Sequence, residues 1–313
     1  MEDFVFIILI SSVLSFISNL LFQKIFIKKG VIDEVKKRSS HKVVATRSGG
    51  LAVFCVIFLV ACFFYFTDIV VFDFSYLVPL SLLMLVGLYD DIYKIDFKLK
   101  FIFQIIAAKI IIDNGLIIDN LHGVLGIDEL GRITAQIITI FFIVAIINSI
   151  NFIDGIDGLA ISIVGLFIVS FEFFSNNSSQ FLYLSIITIS SILPIYYFNF
   201  KKRKKVFLGD SGSLFLGGIV SIYVIYILSQ NYIIQEEYDL HKIIFVVSIL
   251  FYPIVDIIRI VFKRIKDGKS PFEADKNHLH HRLITKVNNH AIATLIILSI
   301  SVVVMVLFQI LFG

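Results

Sequence analysis

Ten apolar stretches run through this chain, at about residues 4–23, 50–67, 76–90, 99–114, 132–150, 157–175, 181–199, 211–229, 242–262 and 290–312. Most approach the ~20 residues a helix needs to cross a hydrocarbon layer. Water cannot accommodate so many such segments. Lipid can, provided each segment closes its own backbone hydrogen bonds as a helix. Composition agrees: 58% of residues are hydrophobic and 16% are charged, where soluble domains carry about 25% charged. The pattern predicts an all-α polytopic membrane protein with about ten transmembrane helices. No repeat or low-complexity tract divides the chain, so residues 1–313 are expected to form one domain.

The positions of the charges orient that bundle. Twenty-three of the 27 Lys and Arg residues fall in 24–48, 90–100, 151–158, 200–210 and 263–289, which ten alternating spans place on one side. Lys109, Arg132, Lys242 and Arg259 are the other four. Basic loops stay in the cytoplasm, so this side is expected to be cytoplasmic, with both termini outside. The outer connections 68–75, 114–131 and 231–240 contain Asp, Glu and Asn but no Lys or Arg. The net charge of +3 is a topology signal, and no nucleic-acid partner is expected. Cys55 and Cys62 share one stretch and lack metal-site spacing, so no disulfide is expected. The first stretch has no basic leader and no small-residue cleavage site, and reads as a retained span.

Four polar clusters interrupt the basic side. Tyr89-Asp90-Asp91 ends the third stretch. Adjacent carboxylates at a membrane face need water, a cation or a proton, and a pair able to share Mg2+ would bring a polyphosphate within reach. Asn151, Asp154 and Asp157 recur at intervals of three in Asn151-Phe152-Ile153-Asp154-Gly155-Ile156-Asp157-Gly158. On a helix they share one face, and the glycines permit a turn or a close backbone approach. A Ca2+ loop is a weaker alternative, because the oxygen-bearing residues miss the full spacing. Asp210 in Phe207-Leu208-Gly209-Asp210-Ser211-Gly212-Ser213 sits where a helix should start, with hydroxyls and N–H groups able to meet an anion. The five bases 201–205 before it retain the loop inside the cell and meet lipid headgroups.

The fourth cluster is His278-Leu279-His280-His281-Arg282. His278 and His281, three apart, would face one ligand on a helix, with His280 pointing elsewhere. The basic surroundings favour phosphate over zinc. A further basic patch at 36–42 places His41 and Lys42 where an anion could be met. Asp256 lies inside the ninth stretch, with Arg259 and Lys263 at helical steps of three and four, the spacing of an internal ion network. Acidic residues within spans would also suit an ion-coupled transporter, but no inverted repeat is present, and the acids concentrate at span ends.

Together YDD, NFIDGIDGL, KVFLGDSGS and HLHH, in this order on successive basic loops, resemble the polyprenyl-phosphate N-acetylhexosamine-1-phosphate transferases over nearly the whole chain. The resemblance implies a bundle of ten or eleven helices in the bacterial cytoplasmic (inner) membrane with a cytoplasm-facing cleft. It implies transfer of a sugar 1-phosphate from a UDP-sugar to undecaprenyl phosphate, with release of UMP. Mg2+, or Mn2+ in its place, would be held by Asn151 and Asp210. Asp90 would orient or deprotonate the lipid phosphate, Asp91 would support it, and Asp154 would belong to the same polar floor. Asp157, Asn199 and Phe207 would hold the nucleotide. His278, His280 and His281 would contact the donor diphosphate, with Lys42 and Arg282 as further anion contacts. HLHH followed by Arg-Leu is similar to the subgroup using simple UDP-N-acetylhexosamines, UDP-GlcNAc foremost, and less so to the phospho-MurNAc-pentapeptide transferase. Membrane lipids are the expected surroundings, and a homodimer stays open.

Overall fold

The computed structural model describes residues 2–33, 44–176, 180–229, 232–235, 240–268 and 278–312. They form an all-helical bundle: α1 (Glu2–Lys28), α2 (Gly49–Phe66), α3 (Leu77–Tyr93), α4 (Phe97–Asp113), α5 (Arg132–Ile153), α6 (Leu159–Phe174), α7 (Leu182–Phe200), α8 (Gly209–Leu228), α9 (Lys242–Ile249), α10 (Phe251–Lys266), α11 (Leu279–Val287) and α12 (His290–Phe312). Every apolar stretch coincides with helix. Seven are long and apolar enough to cross a membrane. α4 and α6, at 17 and 16 residues, are shorter. The ninth stretch is not one rod: α9 and α10 meet at an 80° bend. Pro253 lies in the first turn of α10, where its missing N–H leaves no hydrogen bond unmade.

α8 is the axis of the bundle. Every residue from Ser211 to Leu228 is buried, as expected for a helix apolar on all sides. α3, α5 and α2 pack around it. Glycines set these distances. A Cβ on Gly50 of α2 would lie 2.0 Å from the Gly212 nitrogen, and one on Gly87 of α3 would lie 2.3 Å from the Asp210 carbonyl oxygen. The helices therefore touch backbone to backbone at the end that carries the acidic residues.

α1 packs on α7 through a polar stripe. Ser11, Ser15, Asn19 and Gln23 recur every fourth residue and are buried, so they share one face. Ser12 and Ser15 donate to the Ser190 and Ser191 carbonyls at 3.1 and 2.6 Å, and Gln23 donates to the Lys204 carbonyl at 2.6 Å. The other face of α1, with Val5, Phe6, Leu9 and Val13, is exposed and apolar, as lipid requires. A two-residue parallel pair, β1 (Ala45–Thr46) with β2 (Lys205–Val206), ties the segment before α2 to the segment before α8.

Candidate functional site

The close helix crossings bring the acidic residues of α3 and α8 together. Asp90 and Asp91, in the last turn of α3, face the first turn of α8. The Lys100 ammonium, at the start of α4, donates to Asp90 Oδ2 at 3.1 Å and to Asp210 Oδ2 at 2.9 Å. Asp90 Oδ1 accepts from the Ile95 N–H at 2.8 Å. Asp91 does something different. Its two oxygens accept the backbone N–H groups of Asp210 and Ser211 at 3.0 and 2.9 Å. Leu208, at the cap position of α8, offers no side-chain bond, so a carboxylate from α3 caps the helix from outside and meets the positive end of its dipole. Asp210 is thus a first-turn residue and not a side-chain cap. Gly209, with φ of +77°, makes the entry. Arg47 stands 3.8 Å from Asp91 and 3.1 Å from Asp33.

The second motif closes over this cluster. Ser213 donates to Asn151 Oδ1 at 2.7 Å, linking α8 to α5. Behind it, Asn148 and Gln104 exchange a buried amide pair, with Asn148 Nδ2 donating at 2.7 Å. The helix ends at Ile153, so Asn151, Asp154 and Asp157 do not share a helical face. Asp154 caps α5 and the chain then turns. Desolvation, with Asp210 and Asp91 nearby, pushes the Asp154 carboxyl well above its ordinary value. Asp157 is buried and already satisfied. Burial works against its charge, but bonds from His290 and Lys205 outweigh that and hold it below its ordinary value. Its carbonyl also accepts from Thr294 at 2.8 Å.

Asn199, buried at the end of α7, donates to the Val206 carbonyl at 2.9 Å. Phe207 is bound through its backbone, its N–H to Thr46 and its carbonyl from Gly49. A small cavity between these elements is lined by Asp154, Gly158, Ile161, Ile195, Asn199 and Leu208. Lys42 lies outside the described residues.

The histidines sit on the turn after α5. A Cβ on Gly155 would meet His280 Nε2 at 2.4 Å. His278 is the cap residue of α11, with extended backbone. The helical spacing of His278 and His281 therefore does not apply, and His280 points inward. His278 and His280 stack at 5.3 Å, and His281 lies 4.3 Å from His280 between ring centroids. His280 is fully buried, and its Nδ1 pairs with the Tyr252 hydroxyl at 3.2 Å. Burial, with His281 and His278 adding, pushes it down to about 3. Its Nε2 has no hydrogen-bond partner among the described residues. His278 Nδ1 pairs with Asp256 Oδ2 at 2.6 Å. Arg282 is exposed on α11.

The oxygens that converge on Lys100 suit a hard divalent cation. Asp90 Oδ2 and Asp210 Oδ2 already share one positive charge, and Asn151 Oδ1 accepts from Ser213, three residues after Asp210 on α8. Asp256, His278 and His280 also offer ligand atoms within 4.8 Å of one another. There, however, the carboxylate is taken up by His278, the Leu279 N–H and Arg259.

Lys100, Tyr252 and His290 were not singled out by the sequence. Lys100 carries the one local signal, a lysine opening an apolar stretch ten residues after Asp90. The others are joined to the site only by long-range contacts.

Residues 73–228 match the family described as glycosyl transferase family 4. A Bacillus subtilis protein named probable undecaprenyl-phosphate N-acetylglucosaminyl 1-phosphate transferase is 32% identical over 281 residues, covering 88% of this chain and 75% of the relative. A Mycobacterium tuberculosis decaprenyl-phosphate N-acetylglucosaminephosphotransferase is 28% identical, covering 86% and 72%. A Salmonella typhi undecaprenyl-phosphate alpha-N-acetylglucosaminyl 1-phosphate transferase is 28% identical, covering 90% and 75%. The match includes the α3, α5 and α8 ends that build the acidic cluster, and the chain belongs to glycosyl transferase family 4.

Proposed function

We propose that this chain transfers N-acetylglucosamine 1-phosphate from its UDP-linked donor to a polyprenyl phosphate, undecaprenyl phosphate in bacteria, and releases UMP. The names of its relatives support the reaction. The observation that carries it to these residues is the Asp90–Lys100–Asp210 network, capped by Asp91 and closed by Asn151. The basic loops favour a site facing the cytoplasm.

A lipid phosphate oxygen attacks the donor β-phosphorus. A new P–O bond forms, the bond to UMP breaks, and UMP leaves with the electron pair. The bond made resembles the bond broken, so catalysis asks mainly for positioning and charge compensation. Asp210 and Asn151, with Asp90, would hold Mg2+, which would supply neutralisation of the phosphate charge. Lys100 supplies a second positive charge that can pass from the carboxylates to a phosphate oxygen. Asp90 orients the acceptor, whose phosphate is already largely ionised. Asp91 fixes the first turn of α8, and so the position of Asp210. Asp154, on the wall of the adjoining cavity, completes the polar floor.

A UDP-sugar panel tests this, with purified protein in nanodiscs, undecaprenyl phosphate and Mg2+, and lipid product read by mass. UDP-GlcNAc is expected to give a lipid-linked N-acetylglucosamine diphosphate together with UMP. No lipid product from any donor would refute the reaction, and loss of UMP release on chelation that Mn2+ or Mg2+ fails to restore would refute the metal's part.

A further inference from the structure

Asp256 is a fully committed carboxylate that does not touch the acidic cluster. Asp256, on α10, is 1% exposed. Its Oδ2 accepts from His278 Nδ1 at 2.6 Å, and its Oδ1 accepts from the Leu279 N–H at 2.8 Å and from Arg259 at 3.1 Å. The Leu279 N–H belongs to the first turn of α11, so the same carboxylate meets the positive end of that helix. α10 thus grips the histidine helix at its origin. One turn earlier on α10, Tyr252 holds His280.

We propose that Asp256 is a positioning residue for sugar-phosphate transfer: it accepts the His278 Nδ1–H, and so fixes the ring from which the Nε2–H donates to the donor diphosphate. The inference rests on the reading above that the histidines meet the donor. The physical reason is hydrogen-bond direction. A carboxylate and a diphosphate both accept only, so a ring held between them must donate from both nitrogens. The ring plane is then fixed by that bond, by the His280 ring stacked at 5.3 Å and by Phe152 at 5.7 Å. Phe152 follows Asn151, and His280 presses on Gly155, so a ring fixed by Asp256 is registered to the turn that carries Asn151 and Asp154. A metal-ligating histidine is held in the same way by a carboxylate behind it; a diphosphate differs in requiring a proton on the outward nitrogen.

An asparagine at 256 offers one oxygen instead of two. With that oxygen kept by Leu279 and Arg259, its amide N–H faces His278 Nδ1, which must then accept, so the ring can no longer donate from both nitrogens with a carboxylate behind it. Asp256→Asn is expected to raise the donor KM about 10- to 100-fold and to leave the polyprenyl phosphate KM unchanged. Asp256→Glu keeps the acceptor character and is expected to recover most of the loss. In a His278→Ala background, Asp256→Asn should cost nothing further, because the ring it serves is gone.

Kinetics in nanodiscs with both substrates varied, and melting temperature read alongside, test this. Equal losses in the Glu and Asn variants, an Asn effect undiminished in the His278→Ala background, or a KM rise shared by both substrates would overturn the positioning role. Should the Asn variant not fold, the Glu variant decides alone: a donor KM raised as far as in His278→Ala overturns the role, and one near the parent's supports it. His278→Ala with an unchanged donor KM would instead sink the donor-contact reading itself.

Discussion

At the scale of single residues, the site divides into groups that meet reactants and groups that hold them. Asp90, Asp210 and Lys100 share one charge network, and each is expected to be indispensable. Asp90→Asn, Asp210→Asn and Lys100→Met should each lower UMP release by about 10²-fold or more, with insertion and melting temperature near normal. Lys204→Gln, on the exposed basic run, should stay within about twofold; an equal loss there would mean that the run serves the reaction and not only topology. His280 gives a pH prediction. Its folded pKa is about 3 against an ordinary 6.5, so on acidification the unfolded chain takes up the proton first. Stability is therefore expected to fall as pH drops below about 6.5, by about 1.4 kcal/mol per pH unit, levelling near pH 3. The groups facing it are His281, His278, Asp256 and Arg259. Melting scans at pH 7.5 and 5.5 check it: His280→Gln should narrow the difference between the two, and an unchanged difference would contradict the assignment. The acids and histidines were legible in the sequence because charge is rare in lipid. Their partners were not, since Asp91 reaches α8 across 119 residues and Asp256 reaches His278 across 22.

At the scale of elements, hydrophobic length located every helix except α11, which lies in the basic segment 263–289, yet helix ends and bends obeyed other rules. α5 stops at Ile153, ahead of the Asp154–Gly158 turn, so an interval of three that suggested a shared face instead spreads its residues around a turn. The 80° break between α9 and α10 was hidden within one continuous apolar run. Glycines set the close packing at these helix ends, and only the structure shows what they touch. Gly50→Ala and Gly87→Ala place a methyl group against the backbone of Gly212 and Asp210. Each is expected to destabilise the protein by about 1–3 kcal/mol and to depress UMP release by displacing the first turn of α8. Gly30→Ala, where a Cβ meets nothing within 4 Å but φ is +69°, should cost stability without that loss of activity. Thermal unfolding and turnover measured on the three variants separate the two effects, and full activity in Gly87→Ala would deny that this contact places Asp210.

At the scale of the whole molecule, charge asymmetry and the site agree on one face. The Asp90, Asp210 and Lys100 cluster lies at the helix ends joined to the basic loops, and the loop 114–131 lies at the opposite ends. Reporter fusions are expected to place Lys202 in the cytoplasm and Asn120 outside it. Both on one side would contradict the alternation of spans, and the reverse placement would invert the topology. The count of spans was less legible than their positions, because α4 and α6 are too short to be judged by length, and the bent pair counts as one or two.

The serine and amide ladder on α1 has a consequence for biogenesis. α1 emerges from the ribosome long before α7, with residues 29–181 still to be made. Until α7 arrives, Ser12, Ser15 and Gln23 lack the carbonyls they meet in the finished protein. A newborn α1 must therefore wait beside the translocon, a chaperone or water before its final docking can close the bundle.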